Sequence, residues 1–232
     1  MASTTLDNSA SNIEQENLYH VVLTTSHMQK NPNGELEKIR VLGTYVSLAA
    51  AKITAHSCLF DAGYEKEWFT KYETRQEDFE SENIHPRTGL AVLAIAPDGT
   101  TFRVRILTTA NLGHLTTDYD DGRIASDLYY VIQATFDYDH RDDRSINVEG
   151  VFKTYKEARM FAGRTLLSEE DGITKESFAE YDEAKENERD CGFGENVVVH
   201  AVSVNGENYL VSVLKSQAME SVRLAEAAMR IF

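Results

Sequence analysis

The stretch Leu18-Tyr19-His20-Val21-Val22-Leu23-Thr24-Thr25 returns later in the chain as Leu128-Tyr129-Tyr130-Val131-Ile132-Gln133-Ala134-Thr135. Both runs are rich in β-branched and aromatic residues, which reads as a strand. The correspondence continues outward in the same order. Gly43-Thr44-Tyr45-Val46-Ser47 matches Gly150-Val151-Phe152-Lys153-Thr154, and Ala51, Ala55 and Leu59 match Ala158, Ala162 and Leu166. Gly63, Phe69 and Tyr72 then match Gly172, Phe178 and Tyr181. Residues 94–107, with Asp98-Gly99 in their midst, match residues 201–214, with Asn205-Gly206. Five blocks in one order, offset by 107 to 110 residues, mark an internal repeat rather than two unrelated amphipathic patterns.

Each copy reads alike. After the first strand and a polar turn (Pro32-Asn33-Gly34, or residues 139–145) comes a second strand through Gly43 or Gly150. A glycine inside a strand signals a bulge or a close backbone approach. Ser47 and Thr154 stand where a helix N-cap belongs, and Gly63 and Gly172 where the helices should stop. A second, charged helix is expected next, with Trp68, Phe69, Tyr72 and Phe79, or Phe178, Tyr181 and Ala184, on one stripe. Asp-Gly and Asn-Gly between β-rich runs then predict a hairpin. The fold class expected is α+β: a tandem duplication of a β-β-α-α-β-β module, with mostly antiparallel sheets and helices packed on one face. The division is a mobile tail over 1–17, a first repeat over 18–110, a polar linker over 111–127, a second repeat over 128–214 and a C-terminal helix over 215–232 packed on the body. That last helix carries Met219, Val222, Ala225, Met229 and Phe232 on one face.

Composition narrows the function. Apolar residues at 42% and charged residues at 26% belong to an ordinary globular chain. The formal charge of −15 opposes binding to nucleic acid or to an anionic membrane surface. The excess sits on one copy, with 10 basic and 11 acidic residues over 18–110 against 12 and 20 over 128–232. Two cysteines, no Asn-x-Ser/Thr sequon and no apolar leader point to a reducing, cytoplasmic location.

Chemical motifs are sparse. Cys58 lies on the apolar stripe of a helix and reads as a buried thiol, while Cys191 follows a run of carboxylates that would raise its pKa. Asp118-Tyr119-Asp120-Asp121-Gly122 and Asp137-Tyr138-Asp139-His140-Arg141-Asp142 miss the calcium-loop pattern and read as turns. Gly192-Phe193-Gly194 precedes a strand instead of a helix, so it is no phosphate cradle. No cofactor motif and no metal site are expected. The candidates for a ligand-lining role are His20, Tyr130, His200, Tyr45 and His56, chosen because imidazoles and aromatics at unequal positions of the two copies would make an asymmetric pocket. The expected function is an acidic intracellular binding or interaction protein that takes a small apolar molecule or a protein partner between pseudo-symmetric halves. The alternative is a cofactor-free isomerase, cyclase or hydrolase, which requires an apolar pocket of a few hundred Å3 there (roughly, by the usual size of such sites).

Overall fold

The computed structural model describes residues 17–27, 38–74, 89–117, 119–124, 127–137 and 145–216. The expected tail up to Glu16, Phe79, the C-terminal helix beyond Ser216, Pro32-Asn33-Gly34 and residues 138–144 lie outside the described residues. Of the first calcium-like stretch only Asp118 does; the rest forms the expected turn, with the Gly122 amide donating to the Tyr119 carbonyl and the Asp121 carboxylate accepting from the Arg123 amide.

The chain forms two five-stranded antiparallel sheets. The first contains β1 (Asn17–Ser26), β2 (Lys38–Tyr45), β3 (Lys71–Thr74), β4 (Leu90–Ile95) and β5 (Thr101–Ala110), in the order β2-β1-β5-β4-β3. The second contains β6 (Tyr129–Asp137), β7 (Ser145–Phe152), β8 (Phe178–Glu183), β9 (Val197–Ser203) and β10 (Glu207–Lys215), in the order β7-β6-β10-β9-β8. The two orders are the same once each half is counted from its own first strand. Two helices occur among the described residues, α1 (Leu48–Asp61) and α2 (Tyr155–Ala162).

Local chemistry explains the shared details. Both interior glycines mark a bulge at the same place: the register slips between Val21 and Val22 opposite Gly43, and between Val131 and Ile132 opposite Gly150. Each glycine also makes room for an aromatic ring two residues on. A methyl group on Gly43 would stand 3.0 Å from the Tyr45 ring, and one on Gly150 would stand 2.7 Å from that of Phe152. The helices begin as their caps dictate: the Ser47 hydroxyl accepts from the Ala50 amide and the Thr154 hydroxyl from that of Glu157. The hairpin turns coincide, with Gly99 at φ 85° donating to the Ala96 carbonyl and Gly206 at φ 90° donating to that of Ser203.

Two expectations need correction. The second helix of each module is absent among the described residues. Its place is taken by a single 3-10 turn, Lys66–Trp68 or Lys175–Ser177, followed by the edge strand β3 or β8. The three-residue spacing of Phe178 and Tyr181 looked helical, but a bulge between Phe178 and Glu180 adds a residue and returns both rings to one face of β8, 5.5 Å apart. The charge run is therefore the solvated edge of a sheet, where charge discourages pairing with another strand. Gly172 is also not where the second half's helix stops. α2 stops at Ala162, with Gly163 as its cap, after 8 residues against 14 in α1.

Strand alternation gives each sheet two faces. On one face of the first sheet, α1 buries Ala51, Ala55, Cys58 and Leu59 against Val21, Leu23, Val92 and Val104. On one face of the second, α2 buries Ala158 and Ala162 against Val131, Val199 and Val211. The opposite faces meet. Leu18, Val22 and Val41 of the first sheet pack with Leu128, Tyr130, Ile132, Ile146 and Val148 of the second. The layers thus run helix, sheet, sheet, helix. The connecting segment, expected as a polar linker, sends Leu115 and Ile124 into this seam. Asn111 fastens it by exchanging two hydrogen bonds with the Leu115 backbone, at 2.9 and 2.8 Å. Burying each large apolar side chain of the seam contributes roughly 1.5–3 kcal/mol.

Candidate functional site

His20 and Tyr130, one from each half, meet in the seam. On β1, His20 shares its face with Leu18 and Val22, so its ring points toward the second sheet. Its Nδ1 lies 2.9 Å from Thr44 Oγ1 and its Nε2 lies 2.8 Å from Thr109 Oγ1. Thr44 Oγ1 is in turn 2.7 Å from the Tyr130 hydroxyl, and the two rings meet edge to face at 5.7 Å. Both side chains are almost wholly buried. Desolvation lowers the His20 pKa to about 3 and raises that of Tyr130 to about 12. At neutral pH the imidazole is uncharged and the phenol protonated, so neither group exchanges protons readily. The cluster acts as a hydrogen-bonded tie between two apolar faces.

Tyr45 and His56 are not part of this cluster. Tyr45 alternates with Thr44 and faces α1, where its hydroxyl accepts a hydrogen bond from Thr54 at 2.8 Å. His56 lies on α1, half-buried, its pKa lowered by burial and by the nearby Lys52 ammonium. Cys58 is buried under the same helix, and desolvation pushes its thiol up to about 12, which makes it inert at neutral pH.

His200 does not approach His20. It sits on β9 opposite Leu210, and the bulge facing Val211 and Ser212 turns Val198 toward α2, off the face of His200. His200 is 5% exposed. Its Nδ1 lies 3.4 Å from Asp182 Oδ2 and its Nε2 lies 3.3 Å from Asn208 Oδ1. Phe193 stacks on the ring at 3.7 Å and 17°. The Gly-Phe-Gly stretch serves this contact: Gly192 at φ 94° and Gly194 at φ 143° carry the chain over the imidazole. Glu180 completes the group. One ligand-type atom each from Glu180, Asp182 and His200 lies within 4.8 Å of the others. Sequence reasoning missed this cluster because it placed residues 178–184 on a helix, where i and i+2 do not share a face. On a strand they do, and register puts Asp182 directly opposite His200.

Two clefts flank α2. One, of about 560 Å3, opens at the rim of the seam between Ile39 and Arg40 of β2 and Tyr129, Tyr155, Arg159 and Leu214 of the second half. The other, of about 660 Å3, lies between α2 and the edge of the second sheet, beside Met160, Arg164, Glu183 and Val198. Arg159 lines both. Its Nη2 donates to the carbonyls of Ala184 and Lys185, at 2.8 and 2.6 Å, while its Nη1 makes no hydrogen bond. Tyr155 and Met160 remain 37% and 56% exposed beside it.

No protein-family model, curated protein or solved structure matches the chain. Among the described residues, no helix is long and apolar enough to cross a membrane.

Proposed function

We propose that the protein is a non-catalytic binding protein, built by duplication of one sheet-and-helix module, that holds a segment of a protein partner in the cleft at the rim of the seam. The shared strand order, bulge positions, caps and hairpin turns support the duplication. The free thiols Cys58 and Cys191 fit a reducing, cytoplasmic setting.

The observation that carries the binding reading is the contrast between seam and rim. The centre of the interface is filled by Val22, Val41, Tyr130 and Ile132, and its polar groups are paired with one another. The concave ground lies at the edge, where both halves contribute walls. Its lining mixes Ile39, Tyr155 and Leu214 with the cations Arg40, Arg159, Arg189 and Lys215 and the carboxylates Glu186, Glu188 and Glu195. A surface this charged suits a peptide that presents an apolar side chain next to a carboxylate aimed at Arg159 better than it suits a purely apolar small molecule. The alternative, a cofactor-free enzyme, needs a pocket where these side chains pack, and His20, the imidazole in the seam, is held neutral with both ring nitrogens engaged by Thr44 and Thr109.

The test is a panel of peptides, each with one aromatic or aliphatic residue beside an aspartate, titrated by fluorescence anisotropy against the wild type and Arg159→Glu. Saturable binding that the charge reversal abolishes is the expected result. Equal binding to both proteins, or stabilisation by apolar small molecules without peptide binding, would refute the reading.

A further inference from the structure

The two halves treat one corner of the sheet oppositely. Tyr72 pairs with Ala94 in the first sheet as Tyr181 pairs with Ala201 in the second. This register makes Lys71 the counterpart of Glu180, Glu73 that of Asp182, and Leu93 that of His200. In the first half the corner supplies its own cation: Lys71 Nζ lies 3.0 Å from Glu73 Oε1. In the second half the lysine has become a carboxylate and the leucine an imidazole. Three potential ligands then converge, and among the described residues no Lys or Arg pairs with Glu180 or Asp182. Lys175, the nearest candidate by sequence, is engaged by Glu183 on the other face.

We propose that Glu180, Asp182 and His200 bind a divalent first-row transition ion, in the place that a lysine ammonium fills in the first half. The geometry of His200 supports this. Both of its polar contacts, at 3.4 and 3.3 Å, exceed the usual hydrogen-bond range of about 2.7–3.2 Å, so a nine-tenths-buried ring is held loosely by the protein alone. Asn208 Oδ1 can only accept, so it fixes the tautomer with hydrogen on Nε2 and leaves the Nδ1 lone pair facing the carboxylates. A carbonyl-type acceptor on the far nitrogen is the usual partner of a metal-bound histidine. Phe193, stacked on the ring, blocks rotation away from this position. The carboxylates are exposed and need close by only an ångström or so to bring all donors to about 2.0–2.2 Å from one ion, and their exposure gives the ion an entry path. An imidazole among the donors favours Zn2+ over Mg2+ or Ca2+. The ion keeps open positions for water or for a carboxylate of another molecule. None of Glu180, Asp182 and His200 lines the rim cleft, so the site stands or falls separately from it.

The test uses the full chain, stripped with a chelator and titrated with ZnCl2 by calorimetry. One ion per chain is expected, with Mg2+ and Ca2+ failing to compete at equal concentration. Glu180→Lys reproduces the first half's arrangement. It should abolish uptake while leaving the melting temperature in chelator unchanged. Asp182→Asn, a milder change, should weaken binding beyond the about 10–100-fold that loss of an outer-shell partner costs. In 15N spectra of the wild type, Zn2+ should shift Nδ1 of His200 and leave Nε2 protonated. Uptake that survives both substitutions overturns the proposal. So does uptake lost only in Cys191→Ser, which would place the ion on the thiol, and so does the lack of any saturable uptake.

Discussion

α1 and α2 do the same job to different extents. α1 runs for 14 residues and seals the outer face of its sheet, burying Ala51, Ala55, Cys58 and Leu59 with the Lys52 stem beside them. α2 runs for 8 residues and buries only Ala158 and Ala162. Its Tyr155, Met160 and Phe161 stay partly exposed, and clefts open on both sides of it. The comparison teaches that two modules with one topology can divide labour. The strand order and the caps are kept, while the length of one helix and the charge of one edge strand change. The same division shows in charge, since the surplus of acidic residues belongs to the second half.

The largest test of this comparison asks whether the halves are one cooperative body. Ile132 is fully buried in the seam, on the second half. Ile132→Ala should cost about 2–5 kcal/mol in urea unfolding. Trp68, the sole tryptophan, reports on the first half. Its fluorescence transition should shift together with the circular dichroism. A fluorescence transition that stays put would mean that the halves unfold independently.

The interior glycines give a sharper contrast. A methyl group at Gly150 would meet the Phe152 ring at 2.7 Å and Phe161 at 3.2 Å, whereas at Gly43 the nearest atoms are those of Tyr45 at 3.0 Å. Gly150→Ala should therefore destabilise by about 1–3 kcal/mol and by more than Gly43→Ala, as read from denaturation midpoints.

The seam histidine predicts a pH effect. Its folded pKa of about 3 lies below the ordinary value of 6.5, so below about pH 6.5 the unfolded chain binds a proton that the native one refuses. Stability should fall with falling pH through this window, by at most about 1.4 kcal/mol per unit from this group. His20→Gln keeps one donor and one acceptor but does not titrate. The stability difference between variant and wild type should move in the variant's favour between about pH 6.5 and pH 5. A difference independent of pH would show that His20 is not held neutral.

The smallest effects belong to the caps. Ser47→Ala and Thr154→Ala should each cost about 1 kcal/mol. The Thr154 hydroxyl also donates to the Glu157 carboxylate at 2.7 Å, and α2 has fewer turns with which to absorb a frayed end. Thermal melts should therefore show the larger loss for Thr154→Ala.

Much of this molecule follows from short-range chemistry. The repeated strand run, the capping hydroxyls at Ser47 and Thr154, the Asp98-Gly99 and Asn205-Gly206 turns and the bulges at Gly43 and Gly150 were all legible in the sequence, because each depends on a few neighbouring residues. His20 and Tyr130 were legible as an unequal pair at equivalent positions, but not as a buried tie. That outcome depends on two sheets stacking face to face, and no local signal specifies which face of a sheet meets another. The edge strand β8 was misread for a related reason. A bulge gave its aromatics helical spacing, and only pairing with β9 revealed that Glu180 and Asp182 share a face with His200. Propensity and turn chemistry act along the chain and can be read there. Register, stacking and the gathering of charges from separate strands are settled by contacts between distant segments, and these exist only once the sheets have closed.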